Sequence, residues 1–461
     1  MAAASGVASP EDKAAPLASV LGTFVAGMRD ASLPRDIEQA ASLRVLDTLA
    51  AAAAGVQQGA HNGLLDLLPG EGSVRVWGTA ARRGMRDAAI INAALSHAAY
   101  FEDGCRYTGG HPSSALIPAA FALACERRAS GAEFLAAIVA GYEVFLRLGR
   151  AIYPATVRRG FQSTAILAAP STAAAAAVLL RLSAERATHA LAIACSHGAG
   201  LKEALKNAGS QPLQVGRSSE GGLLAALYAG QGANGVAEVI ERGFFKAYAG
   251  DADRDAVTSG IGSGFGIART YLKMHGGCRG NHAPIDAAVE LARQFDCPPE
   301  RITSMEVCVD TVTLAAEVAQ PTNADQAKFS IAFSIAVCLT KGDAMPARYT
   351  QAMLEDADVR SLMSRIRVRA DHSLDEGYPD RRGAIVRVVT TDGRTLEHAV
   401  ERALGEPEQP FSRGDIEKKF DLIAGTLYGD RADRIKALVS ALPSLQDVNE
   451  LNETLQANPS S

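Results

Sequence analysis

From Leu17 to about Arg269 apolar residues recur three and four positions apart, as in IEQAASLRVLDTLAAAAAG and GAEFLAAIVAGYEVFLRLGR. That period gathers the apolar side chains on one face of a helix, so this stretch is predicted to form a large, nearly all-helical domain. Its density of alanine and glycine lets helix axes approach closely. Tight bundle packing is expected rather than a solenoid, since no fixed internal period is present. One segment departs from the pattern: GSVRVWGTA, residues 72–80, alternates with β-branched residues and reads as a short strand or extended loop.

Beyond His282 the pattern changes. A helical run, IDAAVELARQF, is followed by the alternating SMEVCVDTVT, a second helical run, KFSIAFSIAVCLTKG, and then SRIRVRAD. In GAIVRVVTTDGRTLEHAVERA the pair Asp392-Gly393 separates two alternating runs, the signature of a two-residue hairpin turn with positive φ. The last fifty residues return to helix, opening at Ser412 with Asp415 three positions on as a capping box, and are expected to dock back on the helical domain. The predicted architecture is therefore two-domain. A large all-α helical domain comes from residues 17–271 and 408–461, a smaller α+β domain from 272–407, and a disordered lead covers 1–16.

A chain of 461 residues is long enough for two cores, which agrees with this division. The net charge of −5, from 46 basic and 51 acidic residues without a basic block, argues against a nucleic-acid partner. The opening MAAASGVASPEDKAAPLASV lacks the charged, apolar, small-residue order of a signal peptide. The alanine-rich run from Leu167 to Leu182 is interrupted by Pro170, Ser171 and Thr172 and bracketed by Arg158, Arg159 and Arg181, so it reads as a buried helix and not a membrane span. Seven scattered cysteines, without a CxxC pair, point to the reducing cytoplasm and away from a structural metal.

Two stretches gather chemistry. YFEDGCRYTGGHPSS places Glu102 and Asp103 at the end of one helix and Pro112 at the start of the next. Gly109 and Gly110 between them allow the chain to bring His111 over the helix ends. A carboxylate pair and a histidine at a helix break suit proton transfer, against the plainer reading of a solvated loop. At the domain boundary, LKMHGGCRGNHAPIDAA sets Lys273, His275, Cys278, Arg279 and His282 beside paired glycines. Lys273 and Arg279 there would attract carboxylates in an interdomain cleft, whereas a Cys–His metal or nucleophile site lacks the rest of its pattern. GSQPLQVG and GSGFGIA match neither a dinucleotide fingerprint nor a phosphate loop, so no nucleotide cofactor is expected.

In order and spacing these stretches resemble the MmgE/PrpD family over essentially the whole chain. The carriers are VLDTLAAAAAG, NAALSHAAYFEDG with GGHPSS, the GF and alanine-rich run at 160–178, ALAIACSHGAG, PLQVGRSSEGG, CRGNHAPIDAA, AKFSIAFSIAVCLTKGD and the hairpin TTDGRTLE. The resemblance implies a helical domain, a smaller α/β domain, a homodimer, and a cofactor-free site between the domains that works through an enolate-like state next to a carboxylate. It implies His111, Asp103 and Lys273 as catalytic residues.

Several positions depart from the family pattern. Its leading DFDD becomes Tyr100-Phe101-Glu102-Asp103. Against the cis-aconitate decarboxylase members, a site histidine appears as Gln162, a lysine as Gln211, a later histidine as Cys278 and a tyrosine as Phe333. These changes argue against that decarboxylation, and the two glutamines point to a differently charged substrate. The expectation is a cytoplasmic, cofactor-free lyase or isomerase of a small di- or tricarboxylic acid, most narrowly a 2-methylcitrate-like dehydratase. Tyr100, Glu102, Gln162, Gln211, Cys278, Arg279 and His282 would contact substrate. The alternatives are an epimerase or double-bond isomerase of a dicarboxylate, and a non-catalytic carboxylate-binding homologue. No metal, nucleic acid or membrane is expected.

Overall fold

The computed structural model describes residues 14–60, 62–206 and 209–458, so the expected disordered lead lies outside the described residues up to residue 13. Two apolar cores divide the chain. One takes in buried residues from Leu17 to Leu272 and again from Ile416 to Leu455. The other spans Ala283 to Ala403.

The helix Ser163–Leu179 is the axis of the helical body, and each of its 17 residues is buried. It packs against the helices Pro112–Arg127, Gly131–Ile152, Ala184–Ala194 and Gln211–Gly230. Its alanines keep those neighbours close, and two of its hydroxyls are satisfied inside: Ser171 Oγ donates to the Leu167 carbonyl at 2.8 Å and Thr172 Oγ1 to that of Ala115 at 3.0 Å. Among the described residues no helix is long and apolar enough to cross a membrane. The alternating GSVRVWGTA contributes a two-residue strand, β1 (Val74–Arg75), paired antiparallel with β2 (Arg82–Arg83).

The smaller body holds a four-stranded mixed sheet of β3 (Ile302–Val309), β4 (Ile366–Ala370), β5 (Ala384–Thr390) and β6 (Thr395–Val400), in the order β4-β3-β5-β6. β3 runs parallel to β4 and antiparallel to β5. The helices His282–Gln294 and Ile331–Lys341 pack on each other, the first lying on β5 and β6. The expected two-residue turn at Asp392-Gly393 is corrected by one residue. Thr390 and Arg394 close the loop through Thr390 N–H to the Arg394 carbonyl at 2.9 Å, leaving three residues between them, and only Gly393 has a positive φ, 80°. A type I turn followed by a left-handed glycine satisfies the strand twist as well as the primed turn does.

The returning helix Arg413–Tyr428 starts at the Ser412–Asp415 capping box and lies against the helix Arg35–Gln57. From its buried face Lys419 reaches inward. Its Nζ donates to Asp47 Oδ1 at 2.6 Å, to the Phe101 carbonyl at 2.9 Å and to the Lys273 carbonyl at 2.8 Å, with both charged side chains fully buried. Removing one partner of such a pair leaves a charge in the core, so Lys419→Met should lower the unfolding free energy by about 3–5 kcal/mol. The double change Asp47→Leu with Lys419→Met should recover much of that loss, as read from urea midpoints.

Candidate active site between the two bodies

Two chain segments meet to build the site. The helix Met85–Ala98 stops because Tyr100 takes a left-handed backbone, φ 54°, a conformation uncommon for any residue but glycine. Glu102 and Asp103 therefore follow the helix by several residues, a correction to the expectation that they end it. The next residue, Gly104, pairs with Tyr271 through reciprocal backbone bonds of 3.1 and 2.9 Å, which ties the loop to the domain boundary. A Cβ at Gly104 would sit 2.4 Å from the Tyr271 hydroxyl, so only glycine permits this approach.

Between the bodies lies a cavity of about 190 Å³. Of the residues expected at a site, Tyr100, His111, Gln162, Gln211, Lys273, Cys278 and Arg279 line it. Asp103, Glu102 and His282 do not. Asp103 is buried, its Oδ1 accepting the Ser113 N–H at 3.0 Å and its Oδ2 the Tyr142 hydroxyl at 2.8 Å. With both oxygens committed, this carboxylate braces the loop and the start of the Pro112 helix. His282 is buried outside the lining, and burial followed by the charge of Arg279 depresses its pKa.

His111 is the N-cap of the Pro112 helix, and its Nδ1 lies 2.6 Å from the Asp103 carbonyl oxygen. A carbonyl only accepts, so Nδ1 carries the proton and Nε2 is the basic nitrogen. Burial, then the charge of Lys273, push the His111 pKa down to about 3 against the opposing pull of Glu102, so the ring is neutral at physiological pH. Lys273 is 1% exposed and donates to the Tyr100 carbonyl at 2.9 Å. Burial lowers its pKa, while Glu102 works to keep it charged. Glu102 sits beneath them with Oε1 at 2.6 Å from His97 Nδ1 and 3.8 Å from His111 Nδ1. Burial opposes its ionisation, but His97, then His111, outweigh it and hold the carboxyl well below the usual range.

Some of the site escapes a linear reading. Arg106, Tyr271, Arg382 and Glu406 also line the cavity. Glu406 clamps two cations at once, accepting from Arg279 Nη2 at 2.6 Å and from Arg106 Nη1 at 3.2 Å, and Arg279 lies over the Tyr271 ring at 4.4 Å. Arg106 stands inside the first stretch already singled out and Tyr271 immediately before the second, and their charge or ring was the available signal. Arg382 and Glu406 carried none, because their partners are remote in the chain: Arg382 Nε donates to Thr313 Oγ1, 69 residues away, and Glu406 accepts from Arg279 and Arg106, 127 and 300 residues away. His97, within SHAAYFED, is the further buried histidine, reached by both glutamines: Gln211 Nε2 at 2.9 Å and Gln162 Nε2 at 3.3 Å.

Several lining residues hold buried polar atoms without a hydrogen-bond partner, namely Tyr100 Oη, Ser163 Oγ, Gln211 Oε1 and Arg279 Nη1. Such atoms are rare in folded proteins, and their convergence on one cavity marks it for a polar ligand. Cationic side chains outnumber acidic ones around the cavity, with Lys273, Arg279, Arg106, Arg382 and Lys202 against Glu406, a balance that favours an anionic ligand by charge complementarity. Among the described residues no three histidine, cysteine, aspartate or glutamate side chains gather as a metal site.

The MmgE/PrpD N-terminal domain matches residues 19–256 and the MmgE/PrpD C-terminal domain residues 275–443. The chain belongs to the MmgE/PrpD family. Among the relatives of this MmgE/PrpD protein, the cis-aconitate decarboxylase-like protein oryM of Aspergillus oryzae is 28% identical over 94% of this chain and 95% of its own. The cis-aconitate decarboxylase of Aspergillus terreus is 26% identical over 92% of each chain, and that of Homo sapiens 25% over 81% of this chain and 79% of its own.

The depressed pKa of His111 has a consequence for stability. The unfolded histidine takes up its proton near 6.5 and the folded one near 3, so stability is complete above the first value and is lost as the pH falls between them. Wild type should therefore lose about 2 kcal/mol more than His111→Asn between pH 7.5 and pH 5, measured by urea unfolding at the two pH values.

Proposed function

We propose that this protein is a cofactor-independent lyase that moves a proton next to a carboxylate of a small di- or tricarboxylic acid, most narrowly a dehydratase of a 2-methylcitrate-like hydroxy acid. The observation that carries the reading is a neutral histidine sharing one cavity with a buried ammonium and a buried guanidinium. His111 Nε2 takes the proton from the carbon beside the carboxylate. The charge left behind spreads onto the carboxylate oxygens, where Lys273, with N–H groups beyond the one given to Tyr100, and Arg279, with Nη1 unpartnered, stabilise it. The electrons of the broken C–H bond then form the double bond as the neighbouring C–O bond breaks. The proton held on His111 passes to the departing oxygen, which leaves as water.

In this scheme Asp103 is a positioning residue: its carbonyl sets the His111 tautomer and its carboxylate holds the helix on which His111 sits. Glu102 supplies the buried negative charge that favours the ammonium form of Lys273. Tyr100, Gln162, Gln211 and Cys278 shape the walls. The relatives' names favour a second reading, decarboxylation, in which the same cations would hold the charge released with carbon dioxide. A homodimer and a cytoplasmic location belong to this proposal; the seven free cysteines fit a reducing compartment, and sedimentation analysis of the purified protein tests the assembly.

Proton NMR in D2O separates these reactions. With EDTA-treated protein and a panel of hydroxy, amino and unsaturated di- and tricarboxylic acids, deuterium should enter beside a carboxylate together with loss of water. His111→Ala should slow that exchange by about 10²–10⁴-fold. Release of carbon dioxide would replace the dehydratase by a decarboxylase, and exchange with an unchanged skeleton would make it an epimerase or isomerase. Ligand binding without exchange would mark a non-catalytic carboxylate binder.

A further inference from the structure

The polarity of the cavity wall opposite the cations follows from a chain of hydrogen bonds around His97. Gln162 caps the helix Ser163–Leu179, its Oε1 accepting the Ala165 N–H at 2.6 Å. Because a backbone N–H only donates, the amide orientation of Gln162 is decided, and the group it turns to His97 Nε2 is its NH₂. His97 Nε2 is therefore an acceptor. The other ring nitrogen agrees: Ser114 Oγ donates to the His111 carbonyl and so receives His97 Nδ1 at 3.1 Å as a donor, with the Glu102 carboxylate beside it.

An accepting Nε2 fixes the second glutamine too. Gln211 must offer its NH₂ at 2.9 Å, which leaves Oε1 on the other side of the amide. That oxygen is buried, on a residue 2% exposed that lines the cavity, and it meets no donor. The reverse orientation would set two donors, Gln162 Nε2 and a protonated His97 Nε2, against each other.

Resting on the carboxylate reading of this cavity, we infer that Gln211 is a specificity-determining residue whose Oε1 receives a hydrogen-bond donor carried by the substrate, a hydroxyl or an amine on the carbon chain. A buried carbonyl oxygen left unmet disfavours a polycarboxylate that brings only acceptors, so the site discriminates by rejecting the analogue that lacks the donor.

Calorimetric titration of wild type at pH 7.5 with matched acids tests this. Citrate and tricarballylate differ by one hydroxyl, and malate, aspartate and succinate by a hydroxyl, an amine or neither. The donor-bearing member of a set should bind about 10-fold more tightly or better. Malate against aspartate tells which donor the oxygen receives. The preference should vanish in Gln211→Met and survive in Gln162→Met, which leaves Gln211 bonded to His97; thermal melting verifies that both fold. Equal binding of tricarballylate with citrate and of succinate with malate and aspartate overturns this inference alone. Failure of every acid to bind overturns the carboxylate reading, and this inference with it.

Discussion

One buried ammonium decides how the rest of the molecule is arranged. Lys419 comes from the last fifty residues, yet its three hydrogen bonds go to Asp47 in an early helix, to the loop carbonyl at Phe101 and to the boundary carbonyl at Lys273. A lysine has three N–H donors and here all are used inside the core, with the Phe101 ring 3.6 Å from the charge. Desolvating both ions is costly unless every donor finds an acceptor. That requirement draws three remote segments to one point, directly behind the cavity. The backbone pairing of Gly104 with Tyr271 then sets the register between the two segments that carry His111 and Lys273.

On that frame the site is built from asymmetry of charge and of hydrogen-bond direction. The same burial that makes His111 neutral makes Lys273 hard to keep charged, and Glu102 acts on both in the direction that offsets it. Glu406 does similar work at the rim, holding Arg279 and Arg106 in place while leaving Arg279 Nη1 without a partner. A cavity whose cations are positioned by anions in its walls is organised before any ligand arrives, which lowers the cost of binding a small polyanion. Within the same lining, the hydroxyls of Tyr153 and Tyr378, one from each body, meet at 2.6 Å.

Much of this was legible in the chain. The 3.6-residue period announced the helices, and the switch to alternation announced the sheet. Two stretches of about fifteen residues held His111, Lys273, Arg279, Cys278 and, unrecognised, Arg106, with Tyr271 one position before the second. Three assignments changed when distances entered, since Asp103, Glu102 and His282 lie outside the cavity lining. Asp103 stands in the right stretch, but Ser113 and Tyr142 occupy its oxygens, something no spacing of residues reports. Gln162 and Gln211 were legible as uncharged substitutions in a charged pattern, whereas their joint hold on His97 depends on helices that begin 48 residues apart, at 163 and 211.

By itself, then, the sequence determined the elements, the division into two cores and the residue types available for chemistry, because periodicity, caps and turn residues act over a few positions. Tertiary structure alone decided which carboxylate has its oxygens consumed, which tautomers His97 and His111 adopt, and which atom of the Gln211 amide is left without a partner. Those properties arise from burial and from partners tens to hundreds of residues distant. Desolvation and hydrogen-bond direction exist only once the chain has closed around them.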